Sequence, residues 1–340
     1  MPEIHVLLSG NFTAQQVAAI TAAHPSLVIH GGEGGIAFFP PEGLDQSEIT
    51  FPRYYPDLDP RPVLDLVEVI VASRLPADIA ARAPRLKWVQ ALGAGVDHLM
   101  PAEALRRTSF IVTNVKGVHA IPMAETVLSM LLNFVKDWPG LWENKRHHRW
   151  QRRIPGELYG KTLGLVGLGK IGREVARVGK SLGLLVIGVR RTGAGEPVAN
   201  VDLVLPPGEL LEMLARSDFV VCCLPNTPET YHLIGEPEFR AMRPTAYFVN
   251  VGRGQVVDEA ALARALREGS IAGAGLDVFE EEPLPETSPP WGLENVLIMP
   301  HIGGDSGRFM ERCAEIVREN LQRYATRQPL LNLVDVRRGY

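Results

Sequence analysis

KTLGLVGLGKIGREVARVGKSLGLLVIGVRRT, Lys161 to Thr192, is the stretch whose reading decides the fold. Leu163 to Val166 has the length and apolar content of a buried strand, and Gly167, Gly169 and Gly172 follow it in G-x-G-x-x-G spacing. A helical pattern begins there, with Ile171, Val175, Val178 and Leu182 on one face. Leu184 to Val189 is a second apolar run of strand length, so the whole stretch predicts a βαβ unit. In that setting each glycine has a physical role. Gly167 turns sharply off the strand, Gly169 lets the backbone approach a pyrophosphate, and Gly172 lets the helix pack close to the strand. The N–H groups at the helix start, around Lys170 and Ile171, and the positive end of the helix dipole then suit the phosphates. The alternative is a glycine turn that binds nothing.

The end of the second strand refines this. A unit that binds NAD usually carries Asp or Glu about 20 residues past the first glycine, to accept from the ribose hydroxyls. Here the chain has Arg190, Arg191 and Thr192, with no carboxylate nearby in sequence. Two guanidinium forks and a hydroxyl suit a 2′-phosphate. The expected cofactor is therefore NADP, with NADPH preferred over NADH. The alternative is a pair of solvated surface arginines.

The bulk properties set the limits. With 340 residues there is room for two domains. The chain is 46% apolar and 22% charged with a net charge of −4, which gives no global case for nucleic acid or an anionic membrane. Apolar runs stop at strand length, short of the roughly 18 residues that suggest a membrane span. Met1 to Gly10 reads as a strand and not as a signal peptide. Cys222, Cys223 and Cys313 form no C-x-x-C and no disulfide framework, so a reduced, cytoplasmic chain is expected.

Ile4 to Leu8 reads as a strand, Thr13 as the cap of a helix reaching Ala23, and Leu27 to Ile29 as a second strand. Gly31 to Pro62, rich in Gly and Pro, reads as a long irregular excursion pinned by its own aromatics, with a lid or subunit contact as the alternative. Val67 to Ala72, Leu86 to Gln90 and Phe110 to Thr113 read as strands, with a short helix at Asp78 to Ala83. This alternation predicts a small parallel-sheet domain. Ile121 to Val135 is a strongly apolar helix linking two domains, and Lys145 to Arg153 a basic helix, solvated or facing a second subunit. After the βαβ unit come strand-like runs at Phe219 to Leu224, Tyr247 to Val251, Ile271 to Val278 and Val296 to Met299, and helices at Glu259 to Glu268 and Ser306 to Tyr324. The expected domains are 117–304 for the nucleotide, and 1–116 with 305–340 as a discontinuous partner.

Three polar groups sit after late strands: Arg253, Glu282 and His301. Ligands of an open α/β sheet lie outside the carboxyl ends of its strands, so all three are candidates for one crevice. Hydride transfer to a carbonyl carbon needs a proton donor, a polarising cation and an anchor for the substrate carboxylate. His301 can donate the proton, Glu282 can favour its protonated form and fix its tautomer, and Arg253 can pair with the carboxylate. Gly93 and Gly95, close after a strand, expose backbone N–H groups that suit a carboxylate, although on these residues alone a plain tight turn is the favoured reading. From spacing alone a satisfied histidine, a surface acid and a structural arginine stay open.

The ordered motifs QALGAGVDHL at 90–99, ELYGKTLGLVGLGKIG at 157–172, CLPNTPETYHLI at 223–234, NVGRGQVVDEAAL at 250–262, GLDVFEEEPLP at 275–285 and MPHIGG at 299–304 resemble the D-isomer-specific 2-hydroxyacid dehydrogenases over nearly the whole chain. The resemblance implies an α/β fold, a Rossmann doubly wound nucleotide domain plus a smaller flavodoxin-like substrate domain. It implies Arg253, Glu282 and His301 as the catalytic trio and the backbone near Ala94 and Gly95, with Arg253, as the substrate anchor. It implies Leu224, Pro225, Thr230, Val251, Gly252 and Asp277 as cofactor contacts, Asp277 near the nicotinamide. It also implies a hinge and a homodimer formed largely by the nucleotide domains. Arg190 in place of an acid is similar to the NADPH-linked glyoxylate/hydroxypyruvate reductases. The expected partners are a small 2-oxo or 2-hydroxy acid and a second copy of the chain, with no nucleic acid, no membrane and no metal. An NAD-linked or phosphite-oxidising dehydrogenase and a nucleotide-sensing corepressor are the rivals.

Overall fold

Unbroken apolar runs become strands, and among the described residues both sheets are parallel throughout. A computed structural model describes residues 2–31, 61–96, 98–193 and 195–336. The chain divides into two units, Met1–Val118 with Ser306–Tyr340, and His119–Asp305. The expected excursion from Gly31 to Pro62 lies almost wholly outside the described residues. Its last two residues open the one-turn helix Arg61–Leu64.

In the first unit β1 (Ile4–Leu8), β2 (Leu27–His30), β3 (Val69–Ala72), β4 (Trp88–Ala91) and β5 (Ile111–Thr113) stand in the order β2-β1-β3-β4-β5. That is the flavodoxin-like order. Alternate residues enter opposite cores. Leu7, Ile70, Val89 and Val112 fill one face, and Val6, Leu8, Val69, Val71 and Trp88 the other. Thr13 caps the first helix, accepting from Gln16 N, while Gln16 Oε1 accepts from Thr13 N. The helix Phe309–Ala325 packs Cys313, Val317 and Leu321 onto the second face. Its Asn320 is fully buried and donates to Gln90 Oε1 at 2.8 Å, so the tail belongs to this sheet.

The second unit holds β6 (Thr162–Val166), β7 (Leu185–Val189), β8 (Leu203–Leu205), β9 (Phe219–Cys222), β10 (Tyr247–Asn250), β11 (Gly273–Leu276) and β12 (Val296–Ile298). Their order, β12-β11-β10-β9-β6-β7-β8, reverses between β6 and β9. This is the doubly wound arrangement, in which ligands lie beyond the carboxyl ends of the strands at the reversal. The expected α/β architecture of a Rossmann domain with a smaller flavodoxin-like domain is therefore the one observed.

Two local expectations need correction, and one strand has no counterpart in the sequence reading. The helix Lys170–Ser181 buries Gly172, Val175, Ala176 and Gly179, whereas Leu182 is 37% exposed. The small residues face the sheet because the strand side chains already fill the space there: a Cβ at Gly179 would stand 2.9 Å from Leu163 Cδ2. Lys145 to Arg153 is not a helix. A helix runs from Trp138 to Arg146, its first turn capped by Asp137, and His148 then takes φ 52°. The basic side chains find local partners: Arg153 pairs with Asp137, His147 Nε2 with Glu143 at 2.6 Å, and Lys145 lies over the Trp142 ring. Finally β8 carries too short an apolar run to stand out, and pairing with β7 makes it a strand.

Candidate active site

The glycine turn leaves β6 with Gly167 at φ 104°, where a side chain would also meet Leu224 Cδ2 at 2.9 Å. A Cβ at Gly172 would lie 2.1 Å from Gly167 O, so only glycine lets the helix start this close to the strand. A Cβ at Gly169 would meet nothing within 4 Å. The space beside that backbone is thus open, in front of the helix start where Lys170 is exposed and Ile171 half-buried. A pyrophosphate fits this cradle.

At the end of β7 the Arg190 side chain is only 15% exposed. Its Nη2 donates to Gly193 O and, at 3.3 Å, to Glu196 O. Glu196 Oε2 stands 3.4 Å away, so a carboxylate is near Arg190 after all. The loop turns back through Gly193 at φ 68° and brings it there, which sequence distance alone did not suggest. Arg190 Nε is buried with no acceptor. Arg191 and Thr192 are exposed. An anion docking here would supply the acceptor that Arg190 Nε lacks.

Leu224 and Pro225 follow β9. Thr230 closes their loop: its hydroxyl donates to Pro225 O at 2.7 Å and accepts from Thr227 N at 2.8 Å. After β10 the buried Val251 leads to Gly252 and Arg253. Asn250, 1% exposed, shapes this turn by accepting from Gly252 N and donating to Arg253 O, both at 3.1 Å. Gly254 lies against the backbone of Phe279 and Glu280, where no side chain would fit, and so ties the Arg253 turn to the acidic loop.

On that loop Glu282 Oε1 accepts from Phe279 N at 2.9 Å, and Glu282 Oε2 lies 2.6 Å from His301 Nδ1. The carboxylate thereby fixes the ring's orientation and assigns the proton to Nδ1, which leaves Nε2 for chemistry. His301 is 43% exposed and takes φ 55°, a conformation disfavoured for a residue with a side chain. Asp277, wholly buried, accepts from Ile302 N at 3.0 Å and Gly303 N at 2.9 Å through Oδ1. Burial pushes its carboxyl pKa up, against the pull of those two N–H groups. Its Oδ2 has no partner. An orphaned buried acceptor beside His301 fits the amide group of a nicotinamide.

Ala94 and Gly95 follow β4 in the first unit. Val115 N donates to Gly93 O at 3.1 Å, and Asn114 Nδ2 to Ala94 O at 2.7 Å. In a trans peptide the N–H points opposite to the C=O. Anchoring these two carbonyls therefore turns the N–H groups of Ala94 and Gly95 to the other side, as a pair suited to one carboxylate. Asn114, Asn250 and Glu196 have no role in the sequence reading. Each acts on backbone or charge that chain order does not reveal.

Among the described residues no helix is long and apolar enough to cross a membrane, and no group of three or more His, Cys, Asp or Glu could hold a metal. Residues 128–303 match the family model for the D-isomer specific 2-hydroxyacid dehydrogenase NAD-binding domain. The chain is 39% identical over 267 residues to a glyoxylate reductase of Thermococcus gammatolerans, covering 76% of this chain and 79% of that protein. The chain belongs to the D-isomer specific 2-hydroxyacid dehydrogenase family. It is an oxidoreductase that works with a nicotinamide cofactor on small 2-oxo or 2-hydroxy acids. Among solved structures, a family member from Xanthobacter autotrophicus in complex with NADPH and MES superposes with a TM-score of 0.77 at 33% identity, covering 100% of both chains. An NADPH-dependent glyoxylate/hydroxypyruvate reductase of Sinorhizobium meliloti in complex with NADP and sulfate gives 0.77 at 26%, covering 99% of this chain and 100% of that one.

Proposed function

We propose that this chain is an NADPH-preferring reductase converting small 2-oxo acids, glyoxylate or hydroxypyruvate first among them, to D-2-hydroxy acids. The observation that carries the reading is the 2.6 Å pair of His301 Nδ1 and Glu282 Oε2 on a loop tied to the Arg253 turn. When bound, the cofactor supplies a hydride from nicotinamide C4 to the carbonyl carbon. His301, held through Nδ1 and protonated at Nε2, gives its Nε2 proton to the carbonyl oxygen as that oxygen gains charge. Arg253 pairs with the substrate carboxylate and polarises the carbonyl. In the first unit the Ala94 and Gly95 amides form a pair suited to a substrate carboxylate. Asp277 Oδ2 accepts from the nicotinamide amide, and Arg190 with Arg191 and Thr192 receives the 2′-phosphate. The names of the Thermococcus and Sinorhizobium relatives support the substrate class, and the NADPH and NADP complexes support the cofactor.

Loss of absorbance from NADPH or NADH with glyoxylate, hydroxypyruvate or pyruvate tests this. Faster loss with NADPH is expected, and Arg190→Ala should remove the difference. Faster loss with NADH would refute the role given to the arginines. His301→Ala should lower turnover by about 10²–10⁴-fold. Unchanged turnover would end the assignment of the proton donor.

A second copy of the chain is the partner we infer. Trp150 is 97% and Ile154 100% exposed, and Trp138, Leu141, Trp142 and Tyr159 are exposed in the same segment. A cluster of large apolar side chains of this kind marks a protein contact. Sedimentation should show a dimer that Trp150→Ser with Ile154→Ser weakens; a monomeric wild type at micromolar concentration would exclude it. The cysteines are free thiols, which suits a reducing cytoplasm.

A further inference from the structure

We propose that Thr126 is a positioning residue for the proton donor: its hydroxyl, through Gly303, holds the backbone on which His301 stands. The inference rests on the reading of His301 as donor. His301 sits at φ 55°, and a side-chain-bearing residue stays there only where its surroundings over-determine it. Glu282 holds the ring but does not hold the backbone. The three residues that follow do. Asp277 Oδ1 accepts from Ile302 N and Gly303 N. On the far side of the same residue, Thr126 Oγ1 donates to Gly303 O at 2.9 Å. One residue on, His119 Nδ1 lies 2.8 Å from Gly304 O.

The clasp is built around a glycine. A Cβ at Gly303 would stand 2.7 Å from Asp277 Oδ2 and 3.0 Å from Thr126 Cγ2, so Asp277 and Thr126 together occupy the space where a side chain of this buried residue would stand. His119 and Thr126 belong to the start of the helix Ala120–Lys136, where the chain enters this unit, and Gly304 lies just before the unit ends at Asp305. Thr126 spends its hydroxyl on Gly303 rather than on a carbonyl of its own helix. Valine at this position keeps the shape and removes the donor. Gly303 O would then be buried without a partner, and the loop would relax toward a commoner backbone at His301, turning the ring away from Glu282.

The test measures kcat, KM, the pH profile of kcat and the melting temperature for Thr126→Val, Thr126→Ser and His301→Ala beside wild type. Thr126→Val should lower kcat about 10- to 100-fold, the scale of a misplaced reacting group. It should also move the pH limb that disappears in His301→Ala, with little change in KM for the 2-oxo acid. Thr126→Ser restores the hydroxyl and should return kcat to within about threefold of wild type. An unchanged kcat and pH limb in folded Thr126→Val overturns the proposal. A Ser variant as slow as the Val variant also overturns it, because packing and not the hydrogen bond would then matter. Should Thr126→Val not fold, Thr126→Ala against Thr126→Ser gives the same contrast. His301→Ala with full turnover would fail the donor assignment itself, an outcome distinct from a silent Thr126.

Discussion

Asp277→Asn separates what this carboxylate does for the fold from what it does for the cofactor, and the two effects run in opposite directions. The amide keeps Oδ1 as an acceptor for Ile302 N and Gly303 N. It replaces Oδ2, the buried oxygen with no partner, by a donor. For stability the sign follows from the direction of the pKa. Burial raises the folded-state value above that of the unfolded chain. The ionised carboxyl therefore costs stability at neutral pH, and the cost falls away as the pH drops and the group protonates in the folded protein. Asp277→Asn should melt higher than wild type near pH 7.5, and the gap should narrow as the pH falls through the raised folded-state pKa. For binding, an N–H of the nicotinamide amide would meet a donor in place of an acceptor. An unsatisfied buried polar group costs about 1–3 kcal/mol, which is a weakening of roughly 5- to 150-fold in Kd. Thermal melts across pH and titration of the nicotinamide fluorescence on binding measure the two effects. A cofactor Kd unchanged by the substitution would refute the reasoning that Oδ2 faces the nicotinamide.

Asn114→Ala removes the donor at 2.7 Å from Ala94 O. The freed peptides should raise KM for the 2-oxo acid about 5- to 50-fold while kcat falls less, by the loss of one hydrogen bond; initial rates decide, and an unchanged KM counts against the carboxylate anchor. Glu196→Gln removes a carboxylate 3.4 Å from Arg190 Nη2 and 75% exposed. A screened surface pair contributes about 0.2–1 kcal/mol, so the ratio of kcat/KM for NADPH over NADH should rise about 1.5- to 5-fold. No rise would mean that Glu196 does not compete for Arg190. Burial pushes the Cys222 thiol up to about 11 and the Cys313 thiol up to about 12. Both should resist a thiol reagent at pH 8 in the folded protein and react after denaturation. Fast reaction of either in the native state would contradict their burial.

The βαβ unit was legible because its signals are local. The strand at Leu163, the glycines and the helix at Lys170 are contiguous, and each glycine answers a steric demand of its neighbours. The strand runs, the cap at Thr13 and the α/β class follow in the same way from residues a few positions apart. His301, Glu282 and Arg253 could be nominated because each follows a predicted strand, although only folding brings the 2.6 Å contact across 19 residues. The sequence by itself thus determined the class of fold, the glycine turn and the candidate chemical groups. Tertiary structure decided the strand order, the carboxylate of Glu196 beside Arg190, and the helix face that packs at Gly172 and Gly179. It also decided which backbone groups Asn114, Thr126 and Asp277 hold, across as many as 177 residues. The reason is physical. Steric and hydrogen-bond preferences act over one or two turns of chain, whereas a buried polar atom finds its partner only when packing brings distant backbone within about 3 Å.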